Sequence, residues 1–511
     1  MELQLPFNLF SFCLFLSFIT LILRRQWKKR NTGKLPPGPW KLPLIGSMHH
    51  LVGAIPHVAL RDMSKKYGKD LMHLQLGQVS AVVVSSAEVA KLFLKTHDLD
   101  FADRPRVVAG DEIFYNRSDL FFSPYGDYWK QMRKVCMTEL LSARTVRSFS
   151  HIRQDEIHRL LDRVRSSSHT PINIFEEMSI FTTSIICRAA FGKTLNKAKE
   201  LLKVIDEILI LGSSFCMADM FPSWKILHLL AGEKSRMVKV RRKADEIMGN
   251  IINEHRNNLD CGKTGSGESG AEDIVDVLIK LKDSNTLPVS ITDDNIKCVI
   301  LDMFGGGVDT STTTTACAMC AMVEMVKNPR VLAKAQAEVR QAFKGKQTLL
   351  LDENDVEKLQ YLSSVIKETL RLHPTGSMIL RECKKETLVR GYTIPPKTRL
   401  IINAWAMSRD PEYWEDPESF KPERFEDNPM DYNGSQLEYM PFGAGRRICP
   451  GISFGLANVQ TPLAYLLYHF DWKFPHGITP DGLEIGEKPG IVVKPKNDLL
   501  LIAAPAPLAA V

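Results

Sequence analysis

The sequence predicts a mainly α-helical fold with small β-sheets, preceded by one membrane-spanning helix. Three observations predict it. Long segments with apolar residues at helical spacing, at 145–168, 234–258, 293–328 and 329–344, outnumber the short alternating runs of strand type. An uncharged apolar run, Leu5 to Leu23, opens the chain. Near the other end, "PFGAGRRICPG" at 441–451 holds one cysteine in a glycine-lined, positively charged loop between two prolines. With 511 residues and 44% apolar content, the chain can bury one large core. The 66 basic residues nearly balance the 59 acidic ones, and no long basic run follows residue 30, which speaks against nucleic-acid binding.

Taken in order, residues 5–23 are just long enough to span a bilayer core of about 30 Å. Arg24, Arg25, Lys28, Lys29 and Arg30 follow at once, which leaves the bulk of the chain on the cytosolic side. A cleaved signal peptide is the alternative, but the charged start and small-residue cleavage site that it needs are missing. "KLPPGPWKLPLIG", residues 34–46, cannot continue a helix and forms a stiff spacer. The organisation expected is thus an anchor over 1–23, a basic flank and proline-rich hinge over 24–46, and one catalytic domain over 47–511. With that domain cytosolic, the sequons at Asn116 and Asn433 stay unmodified.

Residues 71–86 read as a hairpin about Gly77-Gln78, and a second strand pair is expected within 388–406. The Gly/Ser-rich stretch 261–273 reads as a surface loop. Ten cysteines are scattered without framework spacing, as expected of reduced thiols. The C-x-x-C of Cys317 and Cys320 lies in a run that reads as buried helix, where small packing residues explain it better than redox chemistry does.

The cysteine loop carries the chemistry. A thiolate that binds iron needs positive charge and backbone N–H donors around its sulfur. Gly443, Gly445 and Gly451 permit close backbone approach to a flat cofactor, Phe442 can shield the sulfur, and Arg447 can meet a carboxylate. A glycine-rich turn with an incidental cysteine is the bland alternative. In "GGGVDTSTTTT", residues 305–315, three glycines cost roughly 1 kcal/mol each in a helix, so a bend or an opening is expected there. Asp309 and Thr310 beside it make an acid–alcohol pair able to relay protons. "KETLR" puts Glu368 and Arg371 on one helix face, an ordinary pair when taken alone.

Taken together, F-x-x-G-x-R-x-C-x-G at Phe442, Gly445, Arg447, Cys449 and Gly451 resembles the haem-binding loop of the cytochrome P450 monooxygenases. The resemblance implies the P450 fold, with Cys449 as the axial thiolate ligand of heme b and 452–470 as the helix leaving the haem. It implies that Trp129, Arg133, Arg381 and Arg447 donate to the haem propionates. Glu368, Arg371 and Arg424 resemble the family's buried Glu-Arg-Arg triad, and Gly306 to Ser311 its oxygen-activation motif, with Asp309 and Thr310 catalytic. NADPH and O2 are the implied co-substrates, with electrons delivered by NADPH-cytochrome P450 reductase. Lys130, Lys134 and Arg446 are candidates for its docking face.

The likeness is greatest to plant microsomal terpenoid hydroxylases. It implies a hydrophobic small-molecule substrate, a mono-, sesqui- or diterpenoid, and a single-pass place in the endoplasmic reticulum membrane. Val108, Ile113, Phe114, Phe304, Gly306, Met378, Ile379 and Ile491 fall in segments that overlie the haem in similar proteins. Two departures stand out: "RLHPTGSMILRE" lacks two prolines of the usual pattern, and Gly306 replaces the commoner alanine. An alkaloid or phenolic substrate, a haem-thiolate isomerase or dehydratase, and a non-catalytic haem scaffold are the alternatives.

Overall fold

The computed structural model describes residues 17, 34–213, 216–224, 232–262, 272–306, 311–344, 353–478, 487–488, 494–495 and 500–507. The expected anchor, apart from Ser17, lies outside them, as do Asp309, Thr310 and Ile491. Among the described residues no helix is long and apolar enough to cross a membrane.

The first half of the domain runs α1 (Pro56–Tyr67), β1 (Leu71–Leu76), β2 (Val79–Val84), α2 (Asp127–Val135), α3 (Ser150–Ser166), β3 (Pro171–Asn173), α4 (Ile174–Phe191), α5 (Leu195–Ser213) and α6 (Glu233–Asp260). The second continues with α7 (Ile274–Ser284), α8 (Asp293–Phe304), α9 (Ser311–Lys327), α10 (Pro329–Phe343), α11 (Gln360–Leu372), β4 (Ile379–Glu382), β5 (Thr387–Val389), β6 (Tyr392–Ile394), β7 (Arg399–Ile402), α12 (Ile452–His469), β8 (Phe470–Lys473) and β9 (Leu500–Pro505). Short helical turns connect them.

The helix ends follow local chemistry. Thr292 and Asn295 form a reciprocal capping box at the start of α8, with Asn295 N–H donating to Thr292 Oγ1 at 3.2 Å and Thr292 N–H to Asn295 Oδ1 at 2.9 Å. Asn173 caps α4 and Gly192, at φ +61°, ends it in the left-handed region that glycine tolerates. The long helix expected over 293–328 is described as α8, a π-helical turn at Gly305 and Gly306, and α9. Glycine's low helix propensity and backbone freedom permit such a widened turn.

Helix α9 lies at the centre of the core, packed on α4, α11 and α12. From Cys317 onward it is mostly apolar because it is enclosed: Ala318, Met319, Met322 and Val323 are fully buried. Cys317 and Cys320 sit buried on it as free thiols, which fits their reading as packing residues. Each fully buried Val, Leu or Met side chain contributes about 1.5–3 kcal/mol.

The expected hairpin is present, with β1 and β2 antiparallel from Leu71↔Val84 to Leu76↔Val79 about Gly77-Gln78. Strand β7 adds to β2 in parallel and β4 to β7 antiparallel, giving the order β1-β2-β7-β4. β5 and β6 form a separate ribbon, and β3-β9-β8 a third sheet. The proline-rich segment runs against the first sheet: His73 N–H donates to Pro37 O at 2.8 Å. A side chain at Gly38 has no room, since a Cβ there would lie 2.0 Å from the His73 carbonyl oxygen.

Candidate active site around Cys449

The cysteine loop is closed by its own backbone. Cys449 N–H donates to Phe442 O at 3.0 Å and Ile448 N–H to Gly445 O at 3.0 Å. Gly443 and Gly445 have φ of +75° and +70°, values that L side chains adopt only with strain. At Gly445 space is decisive as well, because a Cβ would meet Leu94 O at 2.8 Å. Beyond the loop Gly451 opens α12, so the sulfur lies by a helix N-terminus. Burial pushes the Cys449 thiol up, while the Gly451 N–H and the charge of Arg133 pull it down.

Around this loop the fold gathers four guanidinium groups. Arg133, on α2, donates to Ile448 O at 2.7 Å, which ties it to the cysteine's own neighbour. Arg381, on β4, is 2% exposed, and its Nε is buried with no hydrogen-bond acceptor among the described residues. Arg447 donates to Ala102 O at 2.9 Å, Leu120 O at 3.2 Å and Ser123 O at 2.6 Å. Arg104 is the fourth, and its Nε is likewise buried without an acceptor. Burial, and then a neighbouring guanidinium, Arg447 for Arg381 and Arg104 for Arg447, pull Arg381 and Arg447 down to about 9 from the usual arginine range.

Two of the four thus need an acceptor, and none makes an ion pair among the described residues. Haem fits that need, since its two carboxylates would answer the orphaned N–H groups and its iron would meet the Cys449 sulfur. Trp129 is buried, donates to Leu120 O at 3.0 Å and lies beneath Arg447, whose guanidinium is 4.1 Å from its ring centroid. Of the four expected propionate donors, Arg381 keeps an unanswered N–H, while Arg447 and Trp129 are engaged with backbone carbonyls. Sequence reasoning missed Arg104. Its neighbour Arg106, two positions on, is an exposed surface residue, and nothing in "FADRPR" tells the two apart.

Behind the loop, Glu368, Arg371 and Arg424 come together. Arg371 grips Glu368 bidentately at 2.7 and 2.8 Å with both residues fully buried, and Arg424 Nε joins at 3.1 Å. Arg371 also donates to the carbonyls of Ser408 and Pro417, and Lys421 N–H to Glu368. The ion pair is therefore satisfied on both sides, the condition under which a buried charge pair is tolerated.

The candidate pocket residues divide. At Gly306 nothing among the described residues lies within 4 Å of a notional Cβ, whereas one at Gly305 would meet Leu209 of α5 at 3.2 Å. Phe114 is buried, its ring 5.1 Å from Phe122 and against Gly212 of α5. A Cβ added at Gly443 would meet Ile379 Cδ1 at 3.9 Å, and Val108 is half-buried at the start of a short helix. Phe304 stacks on Phe191 at 5.1 Å and is fully buried, Ile113 is fully buried in the main core, and Met378 packs against the first sheet.

Fold and site together define a haem-thiolate monooxygenase. The chain belongs to the cytochrome P450 family, whose model matches residues 36–502. It is 55% identical over 502 residues to premnaspirodiene oxygenase of Hyoscyamus muticus, with 98% of each chain covered. It is 53% identical to 5-epiaristolochene 1,3-dihydroxylase of Nicotiana tabacum, again with 98% of each covered. A zebra fish cytochrome P450 solved with abiraterone matches in fold at a TM-score of 0.71 and 22% identity, covering 88% of this chain and all of that one.

Proposed function

We propose that this monooxygenase hydroxylates an apolar terpenoid, with NADPH as electron source through NADPH-cytochrome P450 reductase. The observation that carries the substrate class is the identity of 55% to premnaspirodiene oxygenase over 98% of both chains. The aromatic pair of Phe114 and Phe122 beside α5 supports it, since an apolar lining binds a hydrocarbon by burial at about 25 cal/mol per Å².

Bound haem supplies the oxygen chemistry: one atom of dioxygen enters a substrate C–H bond and the other leaves as water. The chain's residues hold and direct. Cys449 would hold the haem iron as a thiolate, with Arg133 and the α12 N-terminus easing the charge that burial opposes, and the Arg104, Arg133, Arg381 and Arg447 cluster would neutralise the cofactor carboxylates. Asp309 passes protons to the Thr310 hydroxyl, which delivers them at the reacting centre. Residues 1–23 anchor the chain in the endoplasmic reticulum membrane, 24–46 link, and 47–511 catalyse on the cytosolic side. Exposed Trp40, Leu42, Leu44 and Val52 support a place next to the bilayer. Lys130, Lys134 and Arg446 contribute to the reductase face.

Reconstituted enzyme and reductase, given parallel terpenoid, alkaloid and phenolic panels, test the reading. Turnover is expected with terpenoids, and turnover confined to the other panels refutes the class. Thr310→Ala is expected to keep haem while product formed per NADPH consumed falls several-fold. An unchanged ratio assigns proton delivery to another group.

A further inference from the structure

The segment "VILDMF" places one acid, Asp302, in the otherwise apolar C-terminal half of α8, and the chemistry described so far leaves it without a task. Its carboxylate Oδ2 accepts the Leu120 N–H at 2.7 Å. The carbonyl of that same Leu120 accepts Trp129 Nε1–H at 3.0 Å and Arg447 Nη1–H at 3.2 Å. One residue's backbone is thus gripped on one side by the helix that leads to Gly305 and Gly306, and on the other by two residues assigned to the cofactor.

The surrounding loop is built on this grip. Asp119 is buried, and its Oδ2 accepts the N–H groups of Phe121 at 3.1 Å and Phe122 at 2.9 Å, folding the chain back under Leu120. Phe122 then lies against Phe114 at 5.1 Å between ring centroids, beside the expected substrate space. Burial, and then the neighbouring Asp119, hold the Asp302 carboxyl well above the usual carboxylate range, although the Leu120 N–H opposes this. A neutral acid serves as an acceptor without bringing a second charge beside Asp119.

We propose that Asp302 is a positioning residue for the oxygenation reaction, acting through the backbone of Leu120 to fix Trp129 and Arg447 toward the cofactor and Phe122 toward the substrate. The role requires an acceptor oxygen at that point of α8 and not a charge. It rests on the assignment of Trp129 and Arg447 to the cofactor carboxylates. A second tie from the same helix, Asn295 Nδ2–H to Tyr128 Oη at 2.9 Å and Tyr128 O–H to Ser118 O at 2.5 Å, keeps the loop attached when the first is cut.

The test compares holoenzymes of wild type, Asp302→Ala and Asp302→Asn. Hydrogen exchange of amides 119–122 is measured first and needs no substrate. Wild type is expected to protect the Leu120 amide, Asp302→Ala to exchange it at least tenfold faster, and Asp302→Asn, whose amide oxygen accepts the same bond, to restore protection. Haem dissociation to an excess of apomyoglobin is expected to quicken several-fold in Asp302→Ala alone. With a terpenoid that wild type oxidises, Asp302→Ala is expected to raise KM and broaden the set of hydroxylated positions more than it lowers kcat, with Asp302→Asn close to wild type. A Leu120 amide unprotected in wild type overturns the geometry, as does unchanged exchange in Asp302→Ala. An Asp302→Asn enzyme as impaired as Asp302→Ala overturns the neutral-acceptor role. Should Asp302→Ala not accumulate as holoenzyme, the wild-type and Asp302→Asn measurements still decide. Should no terpenoid turn over, exchange and haem release stand apart from the substrate assignment.

Discussion

At the scale of single residues, the cysteines illustrate how environment separates chemistry from packing. Cys317 and Cys449 are both free thiols, but Cys317 meets only the interior of α9's packing, and burial alone pushes its thiol up to about 12. Cys449 has the Gly451 N–H and the Arg133 charge beside it. Cys449→Ala is therefore expected to abolish the absorbance of the reduced carbon monoxide complex. Cys317→Ala is expected to keep that spectrum at a cost of about 1 kcal/mol in stability. A normal thiolate spectrum from the Cys449 variant would overturn the ligand assignment. Cys449 was legible because its loop is a contiguous string of special residues. Arg447's engagement with three carbonyls was not, since a backbone acceptor carries no residue identity.

At the scale of elements, α6 and α7 are joined by a buried pair. His255 Nδ1 faces Ile251 O at 2.8 Å and Nε2 faces Asp273 Oδ2 at 2.9 Å, and Asp273 in turn caps α7 with Asp276. Both ring nitrogens thus face acceptors, which only the imidazolium satisfies together. Burial opposes that charge, but the hydrogen bond and charge of Asp273, helped by Ile251 O and Asp276, outweigh it and raise His255 above its usual 6.5. The folded chain therefore holds a proton that the unfolded chain releases near 6.5. The stabilisation is complete below that pH and is lost as pH rises through the folded value. Asp273, raised by burial against the pull of His255, works in the same direction from lower pH. The melting-temperature advantage of wild type over His255→Gln is expected to shrink between pH 6 and pH 8.5, and an advantage that is constant or grows refutes the pair's charge. Periodicity gave away α3, α6 and α10 to within a few residues at most ends, and the β1–β2 hairpin declared itself through Gly77-Gln78. This pair did not, because His255 and Asp273 are separated by a Gly/Ser-rich stretch that reads only as a loop. The β2–β7 pairing was equally hidden, since ladder hydrogen bonds between backbones name no partner.

For the molecule as a whole, residues 5–23 are the one apolar run of spanning length in the sequence. Deleting residues 1–23 is expected to release the protein from membranes on carbonate extraction with haem retained, because the described domain is held together by contacts beyond residue 34. A truncated protein that resists extraction counts against a single N-terminal span, with Trp40, Leu42, Leu44 and Val52 the first exposed surface to examine.

The parallel pairing of β2 with β7 has a consequence in time. Val84 lies beside Ile402, so an edge of β2 waits for a partner made more than three hundred residues later. At roughly 5–20 residues per second, a ribosome leaves "VSAVVV" half-paired for about 15–60 s. A β-branched strand with open N–H and C=O groups is a template for pairing with other chains over that interval. The nascent protein thus carries this aggregation hazard through most of its synthesis, until β7 is made shortly before the cysteine loop.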